Sequence, residues 1–503
     1  MATKIPTEIL IKILNYVKSS RSTQDLYSSL LVNRIWCKVT IPILWELPLG
    51  LDLWMDYNKR KKKALCIRTY ISCMDTQARN LLIQNGFDLS SSPSQATFDY
   101  PSFAHKLIIN NVSVYSLQII APDHNNNNYD EITRSRILFH EICKLIINRC
   151  TFLNHFELVR IPFESYHDDL ISSIFDLPGA PKVFEKLESF TLRSYPILFR
   201  SLFESLTLIC DHILIMDLYL DLESQVIILA KLISVQKQLE NLSIEVGKYL
   251  DLDCNSLFWA IISQKETLKS LRLILVNFNR VEEKNLLPIG QFISLQELSI
   301  IDCSGFHKSN CLFLASSLTQ LSRFKFLHSL SEAQEYPQEF IIKILETANT
   351  NLKNICLILH SVIIFDAFSA ILNYCTKINE LSLQNLIPEQ VIEIFNNNFN
   401  DLRRFSFNCG KIFDADELLC QMAENVPKSL ETIVFMMMYK DPWIFSANSL
   451  RKFFEGWCCK GGGGNNKLIV TCLEPQLFTL SDEHFKVIEE YGVQFDVEEN
   501  AYI

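Results

Sequence analysis

Glycine is scarce in this chain, with 13 residues among 503, and four of the 13 form one run at positions 461–464. An average protein contains about 7% glycine, and phosphate-binding loops and tight catalytic turns are built from it. The scarcity argues against a nucleotide-binding fold. The run itself follows Gly456 without the lysine and serine or threonine that a P-loop requires, so we expect a flexible surface loop.

Motifs for metal binding and catalysis are also missing. The 16 cysteines are scattered and no CxxC pair occurs, which excludes the common zinc layouts. Cysteine is too infrequent for a disulfide scaffold, so we expect small buried thiols in a reduced compartment. Neither an HExxH helix nor a GxSxG turn is present. We therefore expect no catalytic residue, no metal, no cofactor and no enzymatic activity.

Positive charge is in the minority and long apolar runs are lacking. The 47 basic and 57 acidic residues give a net charge of −10, which argues against a nucleic-acid partner. No apolar run approaches the roughly 18 residues that span a bilayer, and the charged N-terminal residues do not form a signal peptide. We expect a cytoplasmic or nuclear protein with no membrane partner. We expect the basic run at 59–63 to be a solvated loop; the alternatives are a nuclear import signal and a phosphate-facing patch.

A short apolar string recurs along the chain. It has an aliphatic residue, two variable positions, an apolar residue, one variable position and another apolar residue. Nine periods separate the copies at Leu187 and Leu430, an average of 27 residues. The eleven copies begin at Leu153, Leu187, Ile215, Leu239, Leu268, Leu295, Leu321, Leu352, Ile378, Leu402 and Leu430.

The string predicts one short strand per repeat, and the intervening apolar spacing predicts a returning helix. One such unit cannot bury its own apolar face, so neighbouring units must stack. The pattern resembles the leucine-rich repeat, which implies an α/β solenoid, a horseshoe with parallel strands on the concave face and helices outside. The family's asparagine or cysteine after the strand is matched cleanly only by Cys303.

The N-terminal residues predict a compact helical module. Residues 6–17 form an amphipathic helix that begins at Pro6, residues 25–38 form a second helix, and a third stretch ends at Trp45. On periodicity alone these helices are a cap that closes the end of the repeat array.

The same segment resembles an F-box, most closely those of fungal proteins with leucine-rich repeats. The matching residues include Glu8, Asp25, Arg34 and Leu44, and the loop from Lys18 to Gln24 is longer than usual. The resemblance implies binding to the Skp-type adaptor of a cullin–RING ubiquitin ligase. It also implies the adaptor-binding residues Pro6, Ile9, Leu10, Ile13, Leu14, Leu26, Val32, Trp36 and Trp45, part of which form the module's own core.

Strand residues that alternate with the buried ones should lie on the concave face. We expect this face to bind the target through Arg272, Glu297, Arg323, Lys325, Glu380, Arg404, Val434 and Met436. The basic residues suit an acidic or phosphorylated segment, and Val434 with Met436 suggests a hydrophobic anchor, unless a C-terminal cap covers both.

These observations predict four regions: an F-box at 1–48, linker helices with degenerate repeats at 49–150, leucine-rich repeats at 151–460 and a strand–helix–strand cap at 461–503. The resemblance implies a substrate-recognition subunit of an SCF-type ubiquitin ligase, which joins an unknown protein substrate to the adaptor, cullin and RING subunits. The alternatives are a non-ligase repeat scaffold and, less favoured, a small-molecule sensor.

Overall fold

The computed structural model describes most of the chain, with gaps. The described ranges are 5–19, 23–47, 57–89, 95–109, 128–159, 173–193, 200–248, 250–282, 292–305, 315, 318–328, 338–359, 365–397, 399–409, 413–436, 444–459, 469–472 and 480–497. The glycine run at 461–464 lies outside these residues.

The chain divides into two compact units, Met1–Leu239 and Glu240–Ile503. The first unit begins with helices and continues with strands joined by helices. Its helices are α1 (Thr7–Ser19), α2 (Thr23–Leu30), α3 (Arg34–Trp45), α4 (Tyr57–Cys73), α5 (Thr76–Gln84), α6 (Asn128–Arg149), α7 (Ala180–Phe184), α8 (Arg200–Ile209) and α9 (Glu223–Ser234). Its strands are β1 (Lys106–Ile108), β2 (His155–Val159), β3 (Ser189–Arg193) and β4 (Ile215–Leu220).

The second unit consists of strands and helices throughout. Its strands are β5 (Asn241–Val246), β6 (Ser270–Ile274), β7 (Glu297–Ile301), β8 (Arg323–His328), β9 (Asn354–Leu359), β10 (Glu380–Leu386), β11 (Arg404–Cys409), β12 (Thr432–Phe435), β13 (Ile469–Cys472) and β14 (Gln494–Val497). Its helices are α10 (Asn255–Ser263), α11 (Gln338–Ala348), α12 (Phe365–Tyr374), α13 (Pro388–Asn396), α14 (Ala415–Glu424), α15 (Ala447–Trp457) and α16 (Asp482–Glu490).

Within each unit, successive strands pair in parallel, and the pairing aligns equivalent positions of the repeated string. Leu271 pairs with Leu298, and Leu298 pairs with Phe324. Phe190 pairs with Phe156 in the same way in the first unit. Parallel neighbours require a crossover between strands, and α-helices supply many of these connections. The predicted α/β repeat fold is therefore confirmed.

The core lies where inward strand residues meet the helices. Rings of Phe156 and Phe184 pack edge to face with centroids 5.4 Å apart, and those of Phe395 and Phe405 are 5.8 Å apart. Buried thiols fill smaller spaces, and burial raises the pKa of Cys303 to about 12, so that it stays neutral. Six of the described cysteines are buried; most of the others are half-buried, and Cys459 is exposed.

Strand ends in the second unit reuse one backbone conformation. Leu275, Asp302 and Asn385 all have positive φ, between 48° and 58°. The amide of Leu275 donates to the Ile301 carbonyl, and that of Asp302 donates to the Leu327 carbonyl, so each turn bonds the next strand. Only a few residue types adopt this region without strain, and a polar partner at each turn offsets the cost.

Three side chains form hydrogen bonds with the backbone beside these turns. The thiol of Cys303 donates to the Leu273 carbonyl over 3.4 Å. The backbone amide of Asn385 donates to Oδ1 of Asn408 over 2.6 Å, and Asn385 also donates from Nδ2 to the Leu359 carbonyl. The loop-bonding role expected at Cys303 is thus also filled by asparagines that sit at other offsets from the string.

Some local expectations need correction. The basic run at 59–63 lies inside helix α4, not in a loop. Within the region expected to form the C-terminal cap, Ser481 is the N-cap of α16, and its backbone amide donates to Nδ1 of His484. The strand β1, which pairs with β2, lies in the region 49–150 where degenerate repeats were expected. In none of the described helices is there a segment long and apolar enough to cross a membrane.

Gly456 allows close packing of α15 on α14. A Cβ at this position would lie 2.2 Å from the Ala423 carbonyl oxygen. We expect Gly456→Ala to lower the free energy of unfolding by about 1–3 kcal/mol, the usual cost of overpacking. This loss should appear although alanine has a higher helix propensity, by about 1 kcal/mol. Denaturant titration followed by circular dichroism measures it.

Lys452→Ala in the same helix is the matched control, because Lys452 is exposed. Its effect should stay within about 0.5 kcal/mol. A Gly456→Ala protein as stable as the wild type would show that the two helices separate without cost.

Candidate functional site: the N-terminal helices and the outer strand face

The N-terminal helical module, α1–α3, builds a small core of its own. Leu10, Leu14 and Leu26 are buried at its centre, with Trp36 packed against them. Leu10 and Leu14 are four residues apart on one helix face, which is why a single amphipathic stripe forms this core. The resemblance implied that part of the predicted adaptor-binding set forms the module's own core, and these four residues lie in or against that core.

Other predicted residues of the module are exposed. Ile9, Ile13 and Val32 have exposed fractions of 47%, 41% and 56%, and Pro6 is exposed as well. Asn33 fixes the turn that displays Val32, because its side chain accepts hydrogen bonds from the amides of Ile35 and Trp36 at the start of α3.

The exposed apolar surface of the module is larger than the sequence resemblance indicated. Of the 22 large hydrophobic residues exposed in the described part of the chain, nine lie in this module. Those outside the prediction are Ile5, Ile11, Tyr16, Tyr27, Leu31 and Ile35. Their signal in the sequence was an apolar side chain outside the buried stripe, and large apolar side chains exposed in this number make the module a candidate interaction site.

Trp45, which was also predicted to bind the adaptor, packs against the chain that follows the module. Its ring lies 4.3 Å from that of Tyr100 and 5.5 Å from that of Tyr70, which is completely buried in α4. The structure therefore places Trp45 between the module and the chain that follows it, and not among the exposed residues available to an adaptor.

Glu46 attaches the module to the first strand. Its backbone carbonyl accepts hydrogen bonds from the amides of His105 and Lys106, and its carboxylate pairs with Lys18 and, over 3.4 Å, with Lys106. Burial raises the pKa of Glu46, but the hydrogen bond and charge of Lys18, with the charge of Lys106, outweigh burial and hold the pKa below 4.5. The position of the module relative to β1 is set by these contacts.

The second unit has an outer strand face, which consists of the strand residues that alternate with the buried ones. The registers order it in three rows. The first row is Ser270, Glu297, Arg323, Asn354, Glu380 and Arg404. The middle row is Arg272, Ser299, Lys325, Cys356, Ser382 and Ser406. The third row is Ile274, Ile301, Leu327 and Ile358.

Polar groups of the first row bond to one another. Nη1 of Arg323 lies 2.6 Å from the Glu297 carboxylate, and Nδ2 of Asn354 donates to the Glu380 carboxylate over 2.7 Å. Exposed pairs of this kind contribute about 0–1 kcal/mol, so a ligand can displace them at little cost. Of the predicted residues, Glu297 and Arg323 therefore pair with each other at the surface, and Glu380 pairs with Asn354.

At β11 and β12 several residues of the outer strand face are buried and no longer accessible. Ser406 and Asn408 are buried, and the exposed fractions of Val434 and Met436 are 1% and 3%. The expectation of an exposed hydrophobic anchor at Val434 and Met436 is overturned, because both side chains are covered and unable to meet a partner. The open part of the face extends over β6–β10.

Comparison with known proteins gives structural similarities only. No protein-family model matches the chain, and no curated protein matches it. Among solved structures, 51 chains match. One is the leucine-rich repeat-containing protein LegL7 from Legionella pneumophila, with 11% identity and a TM-score of 0.34 over 67% of this chain and 90% of that one. Another is the Rad7 and Elc1 complex in yeast, with 13% identity and a TM-score of 0.37 over 88% of this chain and 96% of that one.

Replacement of Glu46 tests the attachment of the module to β1. At neutral pH, Glu46→Gln should be less stable than the wild type by a few tenths to about 1 kcal/mol, as for other partly exposed ion pairs. Because the folded-state pKa is below the unfolded value, the contribution of the carboxylate is present above pH 4.5. It is lost as the pH falls through the folded-state pKa, so the difference between the proteins should vanish there. Thermal unfolding from pH 7 to pH 3 measures it, and a difference independent of pH would contradict the prediction.

Proposed function

We propose that this chain is a substrate-recognition subunit of an SCF-type ubiquitin ligase. The N-terminal helical module binds a Skp-type adaptor, and through it the cullin and RING subunits, while the outer strand face binds a protein target. The observation that carries the proposal is the exposed apolar surface of a module that already has its own core.

The division of the module into core and surface supports adaptor binding. Leu10, Leu14 and Leu26 are buried inside the module and form its core. Ile9, Ile13 and Val32 are exposed and take no part in that core. Burial of such side chains gains about 1.5–3 kcal/mol each, which is ample for a docking site. Ile9 and Ile13 lie four residues apart on α1 and form one stripe.

The chain would act without a catalytic group of its own. Ubiquitin transfer belongs to the conjugating enzyme that the RING subunit recruits, and the receptor raises the effective concentration of target lysines near that enzyme. Such a receptor works in the cytoplasm or the nucleus, where its partners are.

A non-ligase repeat scaffold is the second candidate. Glu46 and Trp45 join the module to β1 and to Tyr70 and Tyr100, which is what a cap on a repeat array would do. A cap, however, needs no apolar surface of its own, so adaptor binding distinguishes the two candidates.

Charged substitutions at two exposed apolar residues of the module test adaptor binding. Full-length protein with Ile9→Glu and Val32→Glu should no longer co-elute with the Skp-type adaptor in size-exclusion chromatography, because two glutamates would have to be buried without partners. Thermal unfolding should be unchanged, since both residues are exposed.

Ile227→Glu is the matched control. Ile227 has an exposed fraction of 55%, close to that of Val32, but it lies on α9. This variant should co-elute with the adaptor like the wild type. Failure of the wild type itself to bind the adaptor would remove the ligase proposal and favour the scaffold.

A further inference from the structure

Arg272 holds an unused hydrogen-bond donor inside the outer strand face. The residue is half-buried in the middle row on β6, and its Nε is shielded from solvent without a hydrogen-bond partner. Among the described residues, none accepts a hydrogen bond from its guanidinium. The Nε itself is covered, but the residue is half-buried and its two Nη groups are neither shielded nor bonded to a described residue, so a carboxylate from outside can pair with them.

Lys325 supplies a second cation in the same row. The register runs from Arg272 through Ser299 to Lys325, so the two Cα atoms are two strand spacings apart, or about 10 Å. No described carboxylate forms an ion pair with Lys325. On its other side lies Cys356, and burial raises the pKa of this thiol to about 11, which leaves it neutral.

Charge balance favours a singly charged acceptor. The first row already contains the ion pair of Arg323 with Glu297, and Glu245 on β5 is the register partner of Ile274 in the third row. On β5–β10 the charged residues that face outward are three cations, Arg272, Arg323 and Lys325, and three carboxylates, Glu245, Glu297 and Glu380. A doubly charged phosphate would meet these carboxylates, whereas a carboxylate pairs with Arg272 through two parallel hydrogen bonds at lower repulsion.

Apolar side chains flank this position. Ile274, Ile301 and Ile358 are half-buried in the third row, and Leu327 between them is nearly buried. A ligand that places an anion on the middle row therefore also needs an apolar group beside it.

We infer that the middle row of the outer strand face binds an aspartate or glutamate side chain of a partner segment through Arg272 and Lys325, with an apolar residue of that segment on the third row. The inference deepens the proposed function and rests on it for its setting, because the segment would belong to the target protein.

A random peptide display library selected on the full-length protein tests the inference. The enriched sequences should share an acidic residue next to an apolar one, and the most enriched peptide should be synthesised for calorimetry. Arg272→Met with Lys325→Met should weaken its binding by about a hundredfold, since each charge-assisted hydrogen bond contributes about tenfold or more. Replacement of the acidic residue of the peptide by its amide should weaken binding to the wild type at least tenfold.

Lys269→Met with Arg403→Met is the matched control. Both residues lie outside the three rows in ion pairs with Glu240 and Glu431, and the change in charge is the same. This variant should bind the peptide like the wild type. Lys325→Met alone is the second variant, for use if the Arg272 substitution disturbs folding.

Several outcomes would overturn the inference. They are no enriched peptide, an enriched set without acidic residues, and equal binding by the double variant. Tighter binding of a peptide with phosphoserine in place of the acidic residue would assign the row to a phosphoryl group instead. The adaptor plays no part in this selection, so a chain that binds the peptide but not the adaptor loses only the proposed function.

Discussion

Each repeat of this chain has an apolar strand face that it cannot cover alone, and the rest of the structure follows from that constraint. Leu271 and Leu273 point inward from one short strand, and a single helix hides only part of them. Stacking the next repeat completes the burial and pairs the strands in parallel. Because the register must match apolar residues with apolar residues, positions about 27 residues apart in sequence become neighbours at about 4.8 Å. A one-residue slip would turn the whole apolar set to the outside.

The same constraint creates the outer strand face. Residues that alternate with the core have no packing role, so the sequence is free to place charge there, and the register gathers scattered residues into rows. Arg272 and Lys325 are 53 positions apart in the chain but occupy one row two strands apart. Where the repeat departs from its pattern, the face changes character. Asn385 and Asn408 bond each other beside an irregular register at β10, and further on Val434 and Met436 are buried.

The N-terminal helical module obeys a different rule, because three short helices make a core too small to hide every apolar side chain. One stripe, with Leu10 and Leu14, packs inside, and adjacent positions such as Ile9 and Ile13 remain outside. The module also contacts the chain that follows, through Trp45 on Tyr70 and Tyr100 and through Glu46 on β1. The module thus contacts the following chain through Trp45 and Glu46, and it exposes apolar side chains such as Ile9 and Ile13.

Periodicity alone indicated the repeats, their strands and the helical character of the module, because burial at a period of 2 or 3.6 residues leaves a direct record in the chain. It did not show that the helix predicted over 25–38 is divided at residues 31–33 into α2 and α3. It also located the outer strand residues, whose positions follow from alternation. Tertiary structure decided which of these residues are accessible and free to bind a partner. Only packing could show that Val434 and Met436 are covered, that Arg323 is paired with Glu297, and that the Nε of Arg272 is buried without an acceptor. These properties depend on neighbours from other repeats, and a residue's own sequence context carries no information about the side chains that stacking brings beside it.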